Sequence, residues 1–153
     1  MDTFGSVNEL LDFAIGKELE ANQFYVNLSN RADRQSMKEM FDSFAAEELK
    51  HKEKLEGIKQ GKKLVSAESK VTDLKIADYT TDVNLNANDE FDFQKALLVA
   101  MQREKASYKL YSNLAEITED EGLKEVLLGL ANEEAKHKLY FETQYDEYIL
   151  SEN

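Results

Sequence analysis

The chain has 153 residues, 42% apolar and 33% charged, with a net charge of −12 and neither cysteine nor proline. A chain of this length buries roughly 70% of its unfolded surface and needs no crosslink to fold. Zero Cys excludes disulfides, thiolate-held metal clusters and a thiol nucleophile, zero Pro suits long helices, and the acidic balance argues against a nucleic-acid or anionic-membrane partner, because phosphates are held by clustered Lys and Arg.

Leu11, Ala14, Glu18, Ala21, Tyr25 and Leu28 recur at steps of three and four, one face of a helix predicted over 6–30. Ser6 and Glu9 form a possible capping box at its start. Phe41, Phe44, Glu48, His51 and Leu55 mark a second helix over 35–60, with Ser36 and Glu39 as its box and Gly61 as its stop. Met37 and Met40 read as core beside Phe41 and Phe44. Lys50, Lys52, Lys54, Lys59, Lys62 and Lys63 follow, interspersed with Glu53 and Glu56; they read as a solvated face offsetting the helix dipole, not as a binding patch.

Residues 61–88 shift to Thr, Asp, Asn and Val. This stretch far exceeds the usual helix–helix connection of roughly 2–8 residues, and predicts a crossover along a bundle, anchored by Leu74, Ile76 and Tyr79. Leu97, Ala100, Glu104, Ser107, Tyr111 and Leu114 give a third helix over 89–117. Thr118 and Glu121 suggest a box before a fourth, over 119–149, whose stripe is Leu127, Leu130, Glu134, His137 and Phe141. The short connections pair the helices into antiparallel hairpins, 6–60 and 89–149.

Adding 86 to a position in the first half maps it onto the second. Glu18 becomes Glu104, Tyr25 becomes Tyr111, Glu47-Glu48 becomes Glu133-Glu134, and Lys50-His51-Lys52 becomes Lys136-His137-Lys138, with no gap. Each hairpin alone leaves its apolar stripe wet, and two facing each other bury it, so an all-α four-helix bundle with a pseudo-two-fold repeat is expected.

The chain's two histidines occupy equivalent repeat positions, each three residues after a Glu. Glu48 and His51 therefore share a helical face, as do Glu134 and His137. With Glu18 and Glu104 they lie within the apolar stripes, where no Lys or Arg can pair them. A buried carboxylate without a partner costs several kcal/mol. Two divalent ions would neutralise four carboxylates, and each neutral histidine adds one nitrogen ligand. One Glu from each of two helices and Glu-x-x-His from each of the other two is the pattern of carboxylate-bridged di-iron and di-manganese bundles. Glu47 and Glu133 are also within geometric reach as ligands.

On these motifs the chain resembles the ferritin-like, rubrerythrin-type di-iron proteins over essentially its whole length, including Glu18-x-x-Ala21-x-x-x-Tyr25 and Glu104-x-x-Ser107-x-x-x-Tyr111. The resemblance implies bridging carboxylates at Glu48 and Glu134, terminal ones at Glu18 and Glu104, histidine ligands at His51 and His137, and tyrosines beside the ligands at Tyr25 and Tyr111. It implies two iron ions cycling between Fe(II) and Fe(III), with zinc or manganese also able to fill the site, and an oxidoreductase that reduces peroxide or activates dioxygen. Bundle-only relatives commonly pair, which implies a homodimer. The chain departs from typical rubrerythrins in having Ser107 where they carry a further Glu, and in lacking the cysteines of a rubredoxin module. An external electron donor is then required. A ferroxidase or iron-binding module and a non-catalytic, metal-stabilised scaffold are the competing readings. No run reaches the roughly 18 apolar residues of a membrane span. The segment Met1-Asp2-Thr3-Phe4-Gly5 has no basic region leading into an apolar one, so a cytoplasmic protein of one domain over 1–153 is expected.

Overall fold

A computed structural model describes residues 2–61, 68–81 and 92–152. Four long helices dominate: α1 (Val7–Arg31), α2 (Gln35–Gln60), α4 (Phe93–Glu116) and α5 (Glu121–Glu152). Between the pairs lie a one-turn α3 (Glu68–Val71) and a 3₁₀ turn, Ile76–Tyr79. The described residues contain no strand beyond an isolated bridge between Thr3 and Lys75. None of the described helices is long and apolar enough to cross a membrane.

The local chemistry sets the helix ends. Ser6 accepts from the Glu9 amide at 3.0 Å, and Glu9 reaches back to the Gly5 amide at 3.1 Å, so the first box forms with its return bond one residue before the N-cap. The second does not. Arg34 is the N-cap of α2, without a side-chain cap bond, and Ser36 already lies inside the helix. The third is also replaced: Asp120 accepts from the Leu123 amide at 2.9 Å, while the Thr118 hydroxyl turns back to the Leu114 carbonyl at 2.6 Å. Asp92 is extended and caps the Lys95 amide at 3.3 Å, and the third long helix runs from Phe93. Gly61 caps α2, its amide bonding the Gly57 carbonyl at 3.0 Å.

Antiparallel pairing follows from the short links and is tied across the hairpin. Asn22 donates to the Ala45 carbonyl at 2.8 Å, and Lys59 to Asp12 at 2.5 Å. Gln94 and Tyr145 join α4 to α5 at 3.3 Å. Of the lysine run, Lys52 pairs with Glu56 and Lys59 with Asp12, as a solvated face would. Lys62 and Lys63 lie outside the described residues, as do the parts of the predicted crossover and third helix between 82 and 91. The crossover is anchored at its middle. Val71 and Tyr79 are buried, Leu74 and Ile76 pack against the core, and Asp2 and Phe4 bond Ile76 and Leu74 at 3.1 and 3.3 Å.

The core is in two parts. One apolar cluster gathers Phe4, Leu10, Leu11, Leu55, Leu114, Leu127 and their neighbours. The other gathers Tyr25, Leu28, Phe41, Leu97 and Phe141, with Met37, Met40 and Phe44 partly buried against it. In every long helix a buried carboxylate stands between the two clusters: Glu18 between Ala14 and Ala21, Glu48 between Ala45 and Leu55, Glu104 between Ala100 and Leu110, and Glu134 between Ala131 and Phe141, with His51 and His137 buried one turn after Glu48 and Glu134. The stripe thus carries a polar layer across the waist of the bundle.

Candidate metal centre

Glu18, Glu48, His51, Glu104, Glu134 and His137 are all buried, none more than 6% exposed. Each reaches the waist because its helical phase is that of its apolar neighbours. The structure brings all six together. Their donor atoms form two groups, Glu18–Glu48–His51–Glu134 and Glu48–Glu104–Glu134–His137, each within 4.8 Å and each able to hold a metal ion. Glu48 and Glu134 belong to both.

Inside this cage the hydrogen bonding is incomplete. Glu18 Oε2, Glu48 Oε1, both oxygens of Glu134, Glu104 Oε2, and the Nδ1 atoms of His51 and His137 are buried without a hydrogen bond. They are nevertheless close. His51 Nδ1 lies 2.6 Å from Glu134 Oε1 and 3.6 Å from Glu18 Oε2; His137 Nδ1 lies 3.3 Å from Glu48 Oε1 and 3.6 Å from Glu104 Oε2. Buried polar atoms are normally satisfied, and leaving one unpaired costs about 1–3 kcal/mol. A set of hard oxygens and imidazole nitrogens aimed at one space is the donor set of a first-row divalent ion. Metal bonds of about 2.0–2.2 Å place donors at most ~4.4 Å apart, close to the spread observed. The residues fit a pair of metal ions sharing two carboxylates.

The outward-facing atoms are satisfied. Tyr25 donates its hydroxyl to Glu104 Oε1 at 2.5 Å, and Tyr111 donates to Glu18 Oε1. His51 Nε2 pairs with Glu133 Oε2 and His137 Nε2 with Glu47 Oε2. The sequence left Glu47 and Glu133 as possible ligands. They lie one step out of phase with the stripe, and the structure sends them to the far side of the histidines, outside both groups.

Charge is unevenly held. Burial, then the Glu104 charge, pushes the carboxyls of Glu48 and Glu134 well above the usual carboxylate range. Burial also pushes Glu104 up, but the neighbouring Glu134 and His137 and the bond from the Tyr25 hydroxyl outweigh it and leave Glu104 below its ordinary value. Burial depresses both histidines, yet the carboxylates around them win and the net shift is upward, from Glu18 and Glu133 at His51 and from Glu104 and Glu47 at His137. Burial and the neighbouring carboxylates raise the phenols of Tyr25 and Tyr111, so both remain donors.

A narrow cleft reaches the layer between α1 and α4. Ala21, Ser107 and Tyr111 line it, Glu48, Glu104 and Glu134 close its floor, and Lys17 and Arg103 stand at its sides. Its free volume is about 20 Å³. Since roughly 10–15 Å³ suffices for one water, this is room for a molecule of a few atoms.

The Rubrerythrin family model matches residues 9–146, so the chain belongs to the rubrerythrin family. No curated protein sequence matches. Among solved structures, a protein of Thermotoga maritima described as a ferritin-like diiron-carboxylate protein superposes with a TM-score of 0.80 at 19% identity, over 97% of this chain and 99% of that one. A hypothetical protein from Pyrococcus furiosus superposes at 0.67 with 21% identity, over 90% and 86%. The manganese catalase KatB from Anabaena superposes at 0.64 with 21% identity, over 91% and 70%. The bundle therefore has the ferritin-like fold.

Proposed function

We propose that this member of the rubrerythrin family is an oxidoreductase that would hold two iron ions in the waist of the bundle and reduce peroxide or activate dioxygen there. The observation that carries the reading is the set of buried, unbonded donor atoms from Glu18, Glu48, His51, Glu104, Glu134 and His137 that face one space. Glu48 and Glu134 would bridge the ions, Glu18 and Glu104 would each bind one, and His51 and His137 would each give one Nδ1. When bound, iron supplies electrons and Lewis acidity. Manganese is the alternative suggested by the neighbour named as a manganese catalase.

The chain's own part is positioning and exclusion. Tyr25 and Tyr111 hold the outer oxygens of Glu104 and Glu18, so the inner oxygens stay aimed at the centre. The clusters above and below keep bulk water from the layer, where electrostatic interactions are stronger than in solvent. The small cleft beside Ser107 favours peroxide or dioxygen over an organic substrate. With no cysteine in the chain, an external donor would return electrons. We further propose that the chain works as a homodimer, which light scattering at high micromolar concentration would check.

The deciding experiment is stopped-flow spectroscopy of the Fe(II)-loaded protein. Fast, stoichiometric oxidation by peroxide supports the peroxide-reducing form of the proposal. Faster oxidation by dioxygen, without release of iron, supports the dioxygen-activating form. Oxidation followed by iron release or mineral formation would favour a ferroxidase, and no reaction with either oxidant would leave a metal-stabilised scaffold.

A further inference from the structure

Adding 86 takes Lys17 to Arg103, so the repeat sets one cation immediately before each of Glu18 and Glu104. Both cations line the cleft between α1 and α4. The acid beside them is not repeated, because Glu20 maps onto Ala106. Glu20 Oε2 accepts from Lys17 Nζ at 3.2 Å but stays 3.9 Å from Arg103 Nη1, beyond hydrogen-bond reach. Arg103 lies over the Phe24 ring, its guanidinium carbon 5.0 Å from the centroid, and its Nε is buried without a hydrogen bond. A guanidinium N–H left without an acceptor forfeits a charge-assisted bond, among the stronger contacts a protein makes. The side chains of Lys17 and Arg103 are only 34% and 22% exposed, so solvent and salt screen them less than fully exposed charges.

We infer that Lys17 and Arg103 make this cleft a receptor for a small monoanion, with Arg103 as the donor that touches it. The balance of charge supports this. Glu48, Glu104 and Glu134 on the floor would by themselves repel an anion. Two divalent ions would offset the four carboxylates of the layer, and two cations against Glu20 then leave the mouth with one net positive charge. A cleft whose walls carry one sign concentrates ligands of the other. Its free volume of about 20 Å³ limits the ligand to a few atoms. Of the two oxidants in the proposed reaction, peroxide alone can arrive as a monoanion, and dioxygen gains nothing from the paired cations. That preference rests on the proposed dinuclear centre; the unbonded donor of Arg103 does not.

The test uses azide, a linear monoanion of three atoms, and the full-length protein. Azide binding to the Co(II)-loaded protein is read by visible absorption. Contact is read in the 15N-labelled, Zn(II)-loaded protein from the guanidinium Nε–H signals of Arg31, Arg34 and Arg103, with Arg103→Lys identifying the last. Azide should shift the Arg103 signal and leave those of Arg31 and Arg34 in place. Arg103→Gln should weaken azide binding about 10-fold or more, as the loss of a bond between two charged groups does. Lys17→Gln should weaken it less, about 2–5-fold, because a partly exposed point charge contributes less. Arg103→Lys, which keeps the charge without the planar fork, should fall between the parent and Arg103→Gln. Circular dichroism and Co(II) content verify that each variant is folded and loaded. Azide affinity within twofold of the parent in loaded Arg103→Gln, an unmoved Arg103 signal, or no azide binding by the loaded parent would overturn the inference. If the parent binds neither Co(II) nor Zn(II), the dinuclear reading fails on its own. The same azide titration of the metal-free protein then decides the receptor, which stands if the Arg103 Nε–H responds and falls if it does not.

Discussion

The phenol of Tyr25 on α1 donates to Glu104 on α4 at 2.5 Å, and its repeat partner Tyr111 returns the bond from α4 to Glu18 on α1. The two tyrosines sit in different apolar clusters, Tyr25 on one side of the carboxylate layer and Tyr111 on the other. Each terminal carboxylate is therefore clamped from the cluster beyond it. Tyr25→Phe keeps the ring packing and strands Glu104 Oε1. It should cost about 1–3 kcal/mol in urea unfolding of the metal-free protein, and Tyr111→Phe should cost a similar amount. Unchanged unfolding free energies in both variants would show that the clamp contributes nothing.

The sharing of Glu48 and Glu134 between the two donor groups predicts a stoichiometric asymmetry. Glu18→Ala removes a donor from one group only, so it should reduce bound Co(II) from two ions to one. Glu48→Ala and Glu134→Ala each remove a donor from both groups, and should weaken both ions together. Equilibrium dialysis with elemental analysis reads the difference. Retention of one tight ion by Glu134→Ala would contradict a shared bridge.

Stability should depend on pH in opposite senses with and without metal. Unfolded glutamates titrate near ~4.3. The raised folded carboxyls of Glu48 and Glu134 contribute stability that is complete below that value and is lost as pH rises through their folded pKa values. His51 and His137 are also raised and act alike from about 6.5 upward. Glu104, held low, works the other way, and its contribution disappears only as pH falls through its folded value. The metal-free protein should then melt higher at pH 5 than at pH 8. Metal binds the deprotonated ligands, so protons compete with it. Fe(II) under argon should raise Tm by about 4 °C or more at pH 8, equivalent to at least ~1 kcal/mol, and by less at pH 5. Glu48→Gln with Glu134→Gln should raise the metal-free Tm at pH 8 and abolish the metal response. A melting temperature indifferent to metal at pH 8 would refute the whole scheme.

Ser107 borders the cleft whose floor is Glu48, Glu104 and Glu134. With about 20 Å³ free, one leucine side chain would fill it. Ser107→Leu should slow oxidation of bound Fe(II) by peroxide at least ~10-fold, about 1.4 kcal/mol on the barrier, and leave metal stoichiometry unchanged. An unaffected rate would place ligand entry elsewhere.

Periodicity made the waist layer legible before any coordinates. Glu18, His51 and their repeat partners fall in step with Leu11, Tyr25 and Leu55, and a residue in phase with a buried stripe is buried with it. The helix starts were less legible, because several polar residues compete for each one. Ser36 is as plausible a cap as any, yet α2 begins one residue before it, and Asp120 displaces Thr118 because the threonine hydroxyl is taken by a carbonyl of the preceding turn. The crossed contacts of Glu47 and Glu133 with the histidines had no signature along the chain. Spacing relates a residue to its own helix, whereas these contacts join α2 to α5.

The division of the apolar core by the carboxylate layer changes where the bundle should breathe. Helices in a bundle usually fray at their ends and resist opening at their midpoints, where burial is deepest. Here the best-packed parts are the two ends, held by Leu10, Leu55, Leu114 and Leu127 on one side and by Leu28, Phe41, Leu97 and Phe141 on the other. The midpoints of all four long helices carry crowded acids with unbonded oxygens. Without metal, the amides around Glu18, Glu48, Glu104 and Glu134 should exchange with solvent deuterium ahead of those toward the ends, so that the molecule opens first at its centre. Filling the waist would then stiffen the backbone where it is softest and join two separately packed halves into one cooperative unit.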